Sequence, residues 1–216
     1  MNMQPTILKN IKKLRKITSA SVMECKKAII FSKGNINLGI SYLIHKSNKQ
    51  ARTTRTKTKF KINFILCRRN KTKTKIIAII LSTETDFVTK NDLFQKLSTF
   101  ILEVACLCNN KSELLKYKIN NLSLFQIITY FSKSIIQENI EFKTFVFIKS
   151  SFLNFYIYHN FNKAAIIGFS NYLPGIEYIS KYLAMQLFAN ENKINTYVRN
   201  NIINLFNLKH IIYKIL

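Results

Sequence analysis

IIAIILSTETDFVTKNDLFQKL, residues 76–97, joins an apolar run to a helical pattern through a short polar turn. The run Ile76–Leu81 is rich in β-branched residues and predicts a buried strand. Asn91 is a suitable N-cap for a helix reaching about Cys108. Apolar residues recur in that helix at helical spacing: Leu93, Phe94, Leu97, Phe100, Ile101 and Val104. A strand followed at once by an amphipathic helix indicates a mixed domain.

The rest of the chain repeats this arrangement. A run at Ile62–Cys67 predicts the partner strand of a hairpin that turns at Arg68–Lys71, and residues 112–136 predict a helix. Further segments follow: strands at Phe142–Ile148, Phe152–Tyr158 and Ala164–Phe169, then helices at Tyr178–Ala189 and Asn200–Leu216. The predicted class is therefore α+β, with a core of two similar antiparallel sheet-plus-helix halves, residues 62–136 and 137–216.

Three short helices are predicted before this core, within residues 1–48. Ser21 followed by Glu24 has the spacing of a capping box at the start of the second helix. Gly34 suits the left-handed position that ends this helix, and Asn35 can cap the third. Residues 49–61 are polar, basic and aperiodic, which favours a solvated linker and leaves phosphate binding as the alternative.

The formal charge of the chain is +24, from 34 Lys and Arg against 10 Asp and Glu. Such a charge is typical of proteins that bind nucleic acid or anionic membranes. The chain has only 4 Gly, 2 Pro and no Trp, residues whose codons need G or C, while Lys, Asn, Ile and Phe are abundant. Drift in an A/T-rich genome explains this composition without an anionic partner, and we favour it as the main source of the charge.

The sequence offers little that could catalyse a reaction. It has no P-loop, dinucleotide fingerprint or nucleophile elbow. The four cysteines form no CxxC pair and no metal-ligand spacing with the three histidines. We therefore expect a binding protein without a cofactor or metal of its own. No signal-peptide or membrane-spanning run is visible, so we expect a cytoplasmic protein without a membrane partner.

Phe87 lies between the strand and the periodic helix, beside Asp86. An exposed aromatic residue next to a carboxylate is typical of an interface anchor. Packing of Phe87 beneath the following helix is the alternative.

Two stretches resemble the signatures of the elongation factor Ts family. Residues 14–28, LRKITSASVMECKKA, are similar to the family pattern LRxxTGAGMMDCKKAL. Residues 85–91, TDFVTKN, are similar to its second signature, TDFVAKN. Ser19, Ser21 and Gln137 stand where the family has glycine. The family's long coiled-coil insertion and the strand after it have no counterpart recognisable in the sequence, so the C-terminal region looks reduced.

The resemblance implies a protein that binds the GTPase elongation factor Tu, in its GDP-bound and nucleotide-free states, and acts by nucleotide exchange rather than catalysis. It implies an N-terminal ubiquitin-associated-like docking module and a wedge that displaces magnesium so that GDP leaves. The residues it assigns are the wedge Thr85, Asp86, Phe87 and Val88, the docking residues Arg15, Val22, Met23 and Lys26, and, more weakly, Ile136 and His159. The alternative function is a basic RNA-binding or ribosome-associated protein. The exchange-factor interpretation involves no specific nucleic acid.

Overall fold

The computed structural model describes residues 5–53, 62–172, 174–189 and 211–216, and these combine helices with small antiparallel sheets. The predicted α+β class is confirmed at this level. The helices are α1 (Pro5–Thr18), α2 (Val22–Phe31), α3 (Ile36–Thr53), α4 (Asp86–Lys90), α5 (Asp92–Ala105), α6 (Lys111–Lys116), α7 (Leu124–Tyr130), a π-helical segment (Phe131–Ile136) and α8 (Ile176–Ala189). The strands are β1 (Ile62–Arg69), β2 (Lys75–Thr83), β3 (Lys118–Ile119), β4 (Leu122–Ser123), β5 (Ile140–Lys149), β6 (Phe152–Ile157), β7 (Ala164–Phe169) and β8 (Ile211–Ile215).

The chain divides into two compact units whose boundaries differ from the predicted ones. The first unit combines residues 1–59 with residues 115–140, and the second combines residues 60–114 with residues 141–216. Residues 115–140 therefore group with the N-terminal helices rather than with the sheet that precedes them. The arrangement of the core as two similar halves stays a prediction.

The three predicted N-terminal helices are present, and their ends follow the expected chemistry. The hydroxyl of Ser21 accepts the Glu24 backbone N–H at 3.3 Å, and Asn35 Oδ1 accepts the Leu38 N–H at 3.2 Å. Gly34 has φ +88°, the left-handed conformation that glycine adopts without strain. Only the Ser21 half of the capping box is formed, and the Glu24 carboxylate lies 3.5 Å from the Lys46 ammonium.

Part of the predicted linker is helical. Helix α3 continues to Thr53, so the first part of the predicted 49–61 linker is helical. Residues 54–61 lie outside the described part of the chain. The polar composition after residue 46 concealed this extension, because it lacks the apolar period that identifies a helix from sequence.

The predicted continuous helix at 112–136 is wrong. After α6 the chain makes the short β3–β4 hairpin, then α7 and the π-helical segment. Asn120 and Asn121 both have positive φ, 49° and 65°, which suits the two central positions of a tight hairpin turn. Ser123 and Gln126 then form a complete capping box at the start of α7.

The sheet β1–β2–β5 forms one part of the second unit. Strand β2 is buried along nearly all of its length and pairs antiparallel with β1, with Ile65 opposite Ile80. The turn between them is organised by Asn70, whose Oδ1 accepts the N–H groups of Thr74 and Lys75 at 2.9 Å each. Strand β5 joins this sheet, so its predicted grouping with the following two strands is wrong.

The second sheet of this unit is β6–β7–β8, and α8 packs on it. The predicted terminal helix is wrong over residues 211–215, which form strand β8 paired with β7, Phe169 opposite Ile211. Residues 200–210 of that prediction lie outside the described residues. Pairing with β8 protects the edge of β7, whose residues are all buried. The predicted buried face of α5 is partly right. The buried members are Phe94, Leu97, Ile101 and Val104, whereas Leu93 and Phe100, predicted on the same face, are exposed.

At two positions this sequence has another residue where the elongation factor Ts family has glycine, and the backbone there still has the positive φ that glycine favours. Ser19 has φ +55° and Gln137 has φ +63°. For a residue with a Cβ, the left-handed conformation costs about 1–2 kcal/mol. We therefore expect Ser19→Gly and Gln137→Gly each to stabilise the protein by about 0.5–1 kcal/mol, after part of the gain is offset by the greater entropy of glycine in the unfolded chain.

Urea unfolding of the two variants measures this effect. Ser21→Gly is the matched control, because Ser21 has φ −61° and loses its capping hydroxyl, so this variant should be slightly less stable. Destabilisation by both Ser19→Gly and Gln137→Gly would contradict the interpretation.

Candidate functional site

The Thr85–Val88 stretch forms the first turn of α4 in the second unit. Buried strand β2 ends at Thr83, and the Thr83 hydroxyl donates to the Thr85 backbone oxygen at 2.9 Å. Asn91 ends α4 and caps α5, since its Oδ1 accepts the Leu93 N–H at 2.8 Å. The predicted Asn91 cap is thus confirmed, and α4 is held at both ends by hydrogen bonds.

Phe87 projects from this short helix and is 77% exposed. Its expected exposure is confirmed, and packing beneath α5 is excluded. Val88, the next residue, is only 4% exposed and holds α4 against the unit, while Thr85 is half-buried at the N-cap position. An exposed aromatic ring on an anchored turn can enter a partner without a large loss of its own conformational freedom.

Asp86 is exposed beside Phe87 and paired with Lys90 at 2.8 Å. The hydrogen bond and the charge of Lys90 lower the pKa of the Asp86 carboxyl, so it is ionised at neutral pH. The Lys90 ammonium also lies 6.0 Å from the centre of the Phe87 ring. A single cation therefore lies near both residues at the tip of this helix.

Lys90 was not identified from the sequence as a partner of Asp86, although it lies four residues after Asp86. A carboxylate and a lysine four residues apart face each other only on a helix, and the sequence predicted a turn at this position. The missed element was the helix α4 itself, which is too short to show a period.

The four candidate docking residues all belong to the first unit: Arg15 is near the end of α1, and Val22, Met23 and Lys26 are on α2. Val22 and Met23 are 49% and 62% exposed. Arg15 is exposed and Lys26 is half-buried. Cys25, Ala28 and Ile29 of the same helix are buried. This region therefore offers apolar contact area flanked by cations.

The end of α1, where the chain turns towards α2, is held by a hydrogen bond from α7 of the same unit. Thr18 is buried, and its backbone oxygen accepts the Tyr130 hydroxyl at 2.9 Å. Burial raises the pKa of Tyr130 to about 12 and also raises the pKa of the nearby Cys25 thiol. Tyr130 belongs to α7, more than a hundred residues away in sequence, and no local pattern could have indicated this contact.

Replacing Tyr130 by phenylalanine should therefore destabilise the protein by about 1–3 kcal/mol, because the buried Thr18 oxygen loses its hydrogen bond. Chemical denaturation compares Tyr130→Phe with Tyr42→Phe, a half-buried tyrosine of the same unit whose hydroxyl forms no hydrogen bond to another described residue. Equal stability of the two variants would contradict the role given to Tyr130.

The two weaker candidates occupy different environments. Ile136 is half-buried at the end of the π-helical segment in the first unit. His159 is exposed just after β6 in the second unit, its ring 4.2 Å from the ring of Tyr158. Neither is close in sequence to the wedge or docking residues, and their part in binding stays a prediction.

The described residues contain neither a metal-binding cluster nor a membrane-spanning helix. Across 5–53, 62–172, 174–189 and 211–216, no group of three or more His, Cys, Asp or Glu could hold a metal ion. Within the same ranges, none of the helices combines the length and the hydropathy of a membrane span.

Comparison with known proteins gives one consistent family. Residues 84–204 match the family model described as Elongation factor TS, so the match includes α4. Proteins named elongation factor Ts are similar over most of the chain: 32% identity over 182 residues in Flavobacterium psychrophilum, 33% over 180 in Christiangramia forsetii and 32% over 186 in Amoebophilus asiaticus. Each alignment covers 83% of this chain and 65% of the relative, so the chain spans about two thirds of their length.

Proposed function

The chain belongs to the elongation factor Ts family, and from this premise we propose that it is a guanine-nucleotide exchange factor of translation elongation. Its partner is elongation factor Tu, which it binds in the GDP-bound and nucleotide-free states, in the cytoplasm. The observation that carries the proposal is Phe87, an aromatic ring 77% exposed on an anchored helix within the family signature.

In this proposal α4 enters the GTPase beside its magnesium site. The Phe87 ring displaces groups that hold the ion, and the ionised Asp86 carboxylate adds negative charge near the position of the nucleotide phosphates. Bound cations are often the largest local charges at phosphate sites. Once magnesium is lost, the GDP phosphates lose their main positive partner, GDP leaves and GTP can enter.

Coupling energies of the required size are accessible to such an interface. If the factor weakens GDP binding, GDP weakens binding of the factor by the same ratio. A thousandfold weakening corresponds to about 4 kcal/mol. A buried aromatic anchor with a neighbouring charge contributes energies of about 2–4 kcal/mol, so the tip of α4 can supply a large part of the coupling.

The docking residues supply the affinity that brings the wedge to the nucleotide. Val22 and Met23 offer exposed apolar area, and Arg15 adds a cation close to them. Contacts of this kind bind the partner without acting on the nucleotide. In this proposal Met23 contributes to affinity and Phe87 to displacement of magnesium, so the two residues lead to separate predictions.

Release of labelled GDP from the cognate elongation factor Tu tests the proposal directly. We expect stoichiometric amounts of the chain to accelerate release in the presence of excess unlabelled GTP, and high magnesium to reduce the acceleration. Unchanged release at saturating protein would overturn the proposal. The competing function, RNA binding alone, predicts no acceleration.

A further inference from the structure

The positive charge is concentrated in the first unit. Residues 1–59 and 115–140 contain 17 Lys and Arg but only two acidic residues, Glu24 and Glu138. This is a net +15 of the total +24, in fewer than half of the residues. One of the two carboxylates, Glu24, is already paired with Lys46.

Helix α1 arranges part of this charge as a stripe. At about 100° per residue, Lys9, Lys12, Lys13 and Lys16 fall within an arc of about 100°. The centre of the arc lies opposite the face that α1 buries, which includes the apolar residues Ile11 and Leu14. The helix contains no acidic residue, all four lysines are exposed, and none forms an ion pair with another described residue. We call these four residues the lysine stripe.

We propose that the lysine stripe binds the phosphate backbone of RNA. Four ammonium groups over about 10 Å of helix face one line of closely spaced phosphates. Lysine is a flexible point charge without the planar fork that reads base edges, so such a stripe favours the backbone and not a sequence. The binding is independent of the exchange activity proposed above.

Genomic drift explains the total charge but not this arrangement. Drift adds lysine wherever the surface tolerates it, in both units alike. The second unit carries 17 Lys and Arg with eight acidic residues, whereas the shorter first unit carries 17 Lys and Arg with two. The concentration of unpaired lysine on one helix face is the observation that favours a ligand.

An anionic membrane is the less suitable partner. A helix that lies on a membrane places an apolar face in the lipid beside its basic face. In α1 the apolar face is packed inside the unit. The exposed apolar residues Leu8 and Ile17 lie on opposite flanks of the stripe and form no continuous surface.

The lysine stripe is also separate from the candidate docking residues. Arg15 lies about 110° around the helix from the centre of the stripe, and the other docking residues are on α2. The stripe can therefore be neutralised while Arg15, Val22, Met23 and Lys26 are kept.

The test measures binding of a fluorescent oligouridine of twelve nucleotides by anisotropy, from low to moderate salt. One variant combines Lys9→Gln, Lys12→Gln, Lys13→Gln and Lys16→Gln. The control combines Lys71→Gln, Lys96→Gln, Lys181→Gln and Lys214→Gln, four exposed lysines of the second unit. Both variants have the same net charge, so they differ only in where the charge was removed.

We expect the stripe variant to lose at least tenfold in affinity at about 0.1 M salt and the control to lose less than threefold. The slope of log affinity against log salt should fall by about 2–3 in the stripe variant, at about 0.7 per phosphate contact on a single strand. Replacing the same four lysines by arginine should preserve binding, and GDP release should be unchanged in all variants.

Three results would overturn the proposal. Equal losses in both variants would mean that net charge alone attracts RNA. Unchanged affinity of the stripe variant would place the contact elsewhere. Binding of the chain to vesicles containing phosphatidylglycerol, without binding to the oligonucleotide, would assign the stripe to membranes. If the fourfold variant melts early, Lys12→Gln with Lys13→Gln gives the same comparison, with an expected slope change of about 1.4.

Discussion

Replacing Phe87 by alanine should slow stimulated GDP release by about tenfold or more, while the melting temperature changes by no more than about 3 °C. Because Phe87 is 77% exposed, removing its ring leaves no cavity in the unit, and exposed substitutions change stability by about 0.5 kcal/mol or less. A tenfold loss corresponds to about 1.4 kcal/mol of coupling between the factor and GDP. Stopped-flow GDP release at saturating factor and thermal unfolding provide the two measurements.

Leu107→Ala is the matched control for this experiment. Leu107 is 66% exposed in the same unit, so its loss removes a comparable apolar area outside α4. We expect normal exchange from this variant. If Phe87→Ala exchanged normally at saturation, or if Leu107→Ala were equally slow, the wedge assignment would fail.

Asp86→Ala should act in the same direction as Phe87→Ala. The two residues are adjacent on α4 and both lie near Lys90, at 2.8 Å from the Asp86 carboxylate and 6.0 Å from the Phe87 ring. Residues that work as one unit give effects that do not add. The double variant should therefore lose less exchange activity than the sum of the two single losses, measured as free energies.

The sequence was most informative where the structure is determined by neighbouring residues. The cap at Asn91 and the left-handed Gly34 each depend on a few adjacent positions, and the local pattern was sufficient to predict them. The local pattern left the exposure of Phe87 open, and the wedge implied by the family resemblance was the reason to expect it. The resemblance to a family identified residues 85–91, which include α4, as part of a signature.

The errors in strand partners concern contacts between distant residues. Strand β8 was predicted as a helix because residues 200–216 contain a helix-like spacing of apolar residues. Its conformation is stabilised by pairing with β7, whose residues lie 42 to 50 positions earlier. Strand β5 joins β2 rather than β6 for the same kind of reason. The support of the Thr18 loop by Tyr130 links residues 112 positions apart. Strand pairing and packing at such separations leave no periodic signal within either segment.

The docking assignment leads to a different kinetic signature from the wedge. Met23→Asp should weaken binding to elongation factor Tu by about tenfold or more, because a carboxylate replaces an apolar side chain that becomes buried at the interface. Met23 is 62% exposed in the free chain, so the variant should remain folded. Isothermal titration calorimetry with nucleotide-free elongation factor Tu measures the affinity, and circular dichroism measures the fold.

Leu38→Asp provides the control, because Leu38 is 57% exposed in the same unit but lies on α3. It introduces the same charge and should leave the affinity within about threefold, the scale of a surface change remote from the interface. Equal weakening by both variants would mean that the charge of the first unit, and not Met23, governs binding.

The decisive comparison is the dependence of GDP release on factor concentration. Met23→Asp should raise the concentration for half-maximal release and keep the saturating rate, since a docking contact contributes equally before and after magnesium is displaced. Phe87→Ala should lower the saturating rate, since its contact is made as the ion leaves. A reduced saturating rate for Met23→Asp would show that α2 takes part in displacement itself.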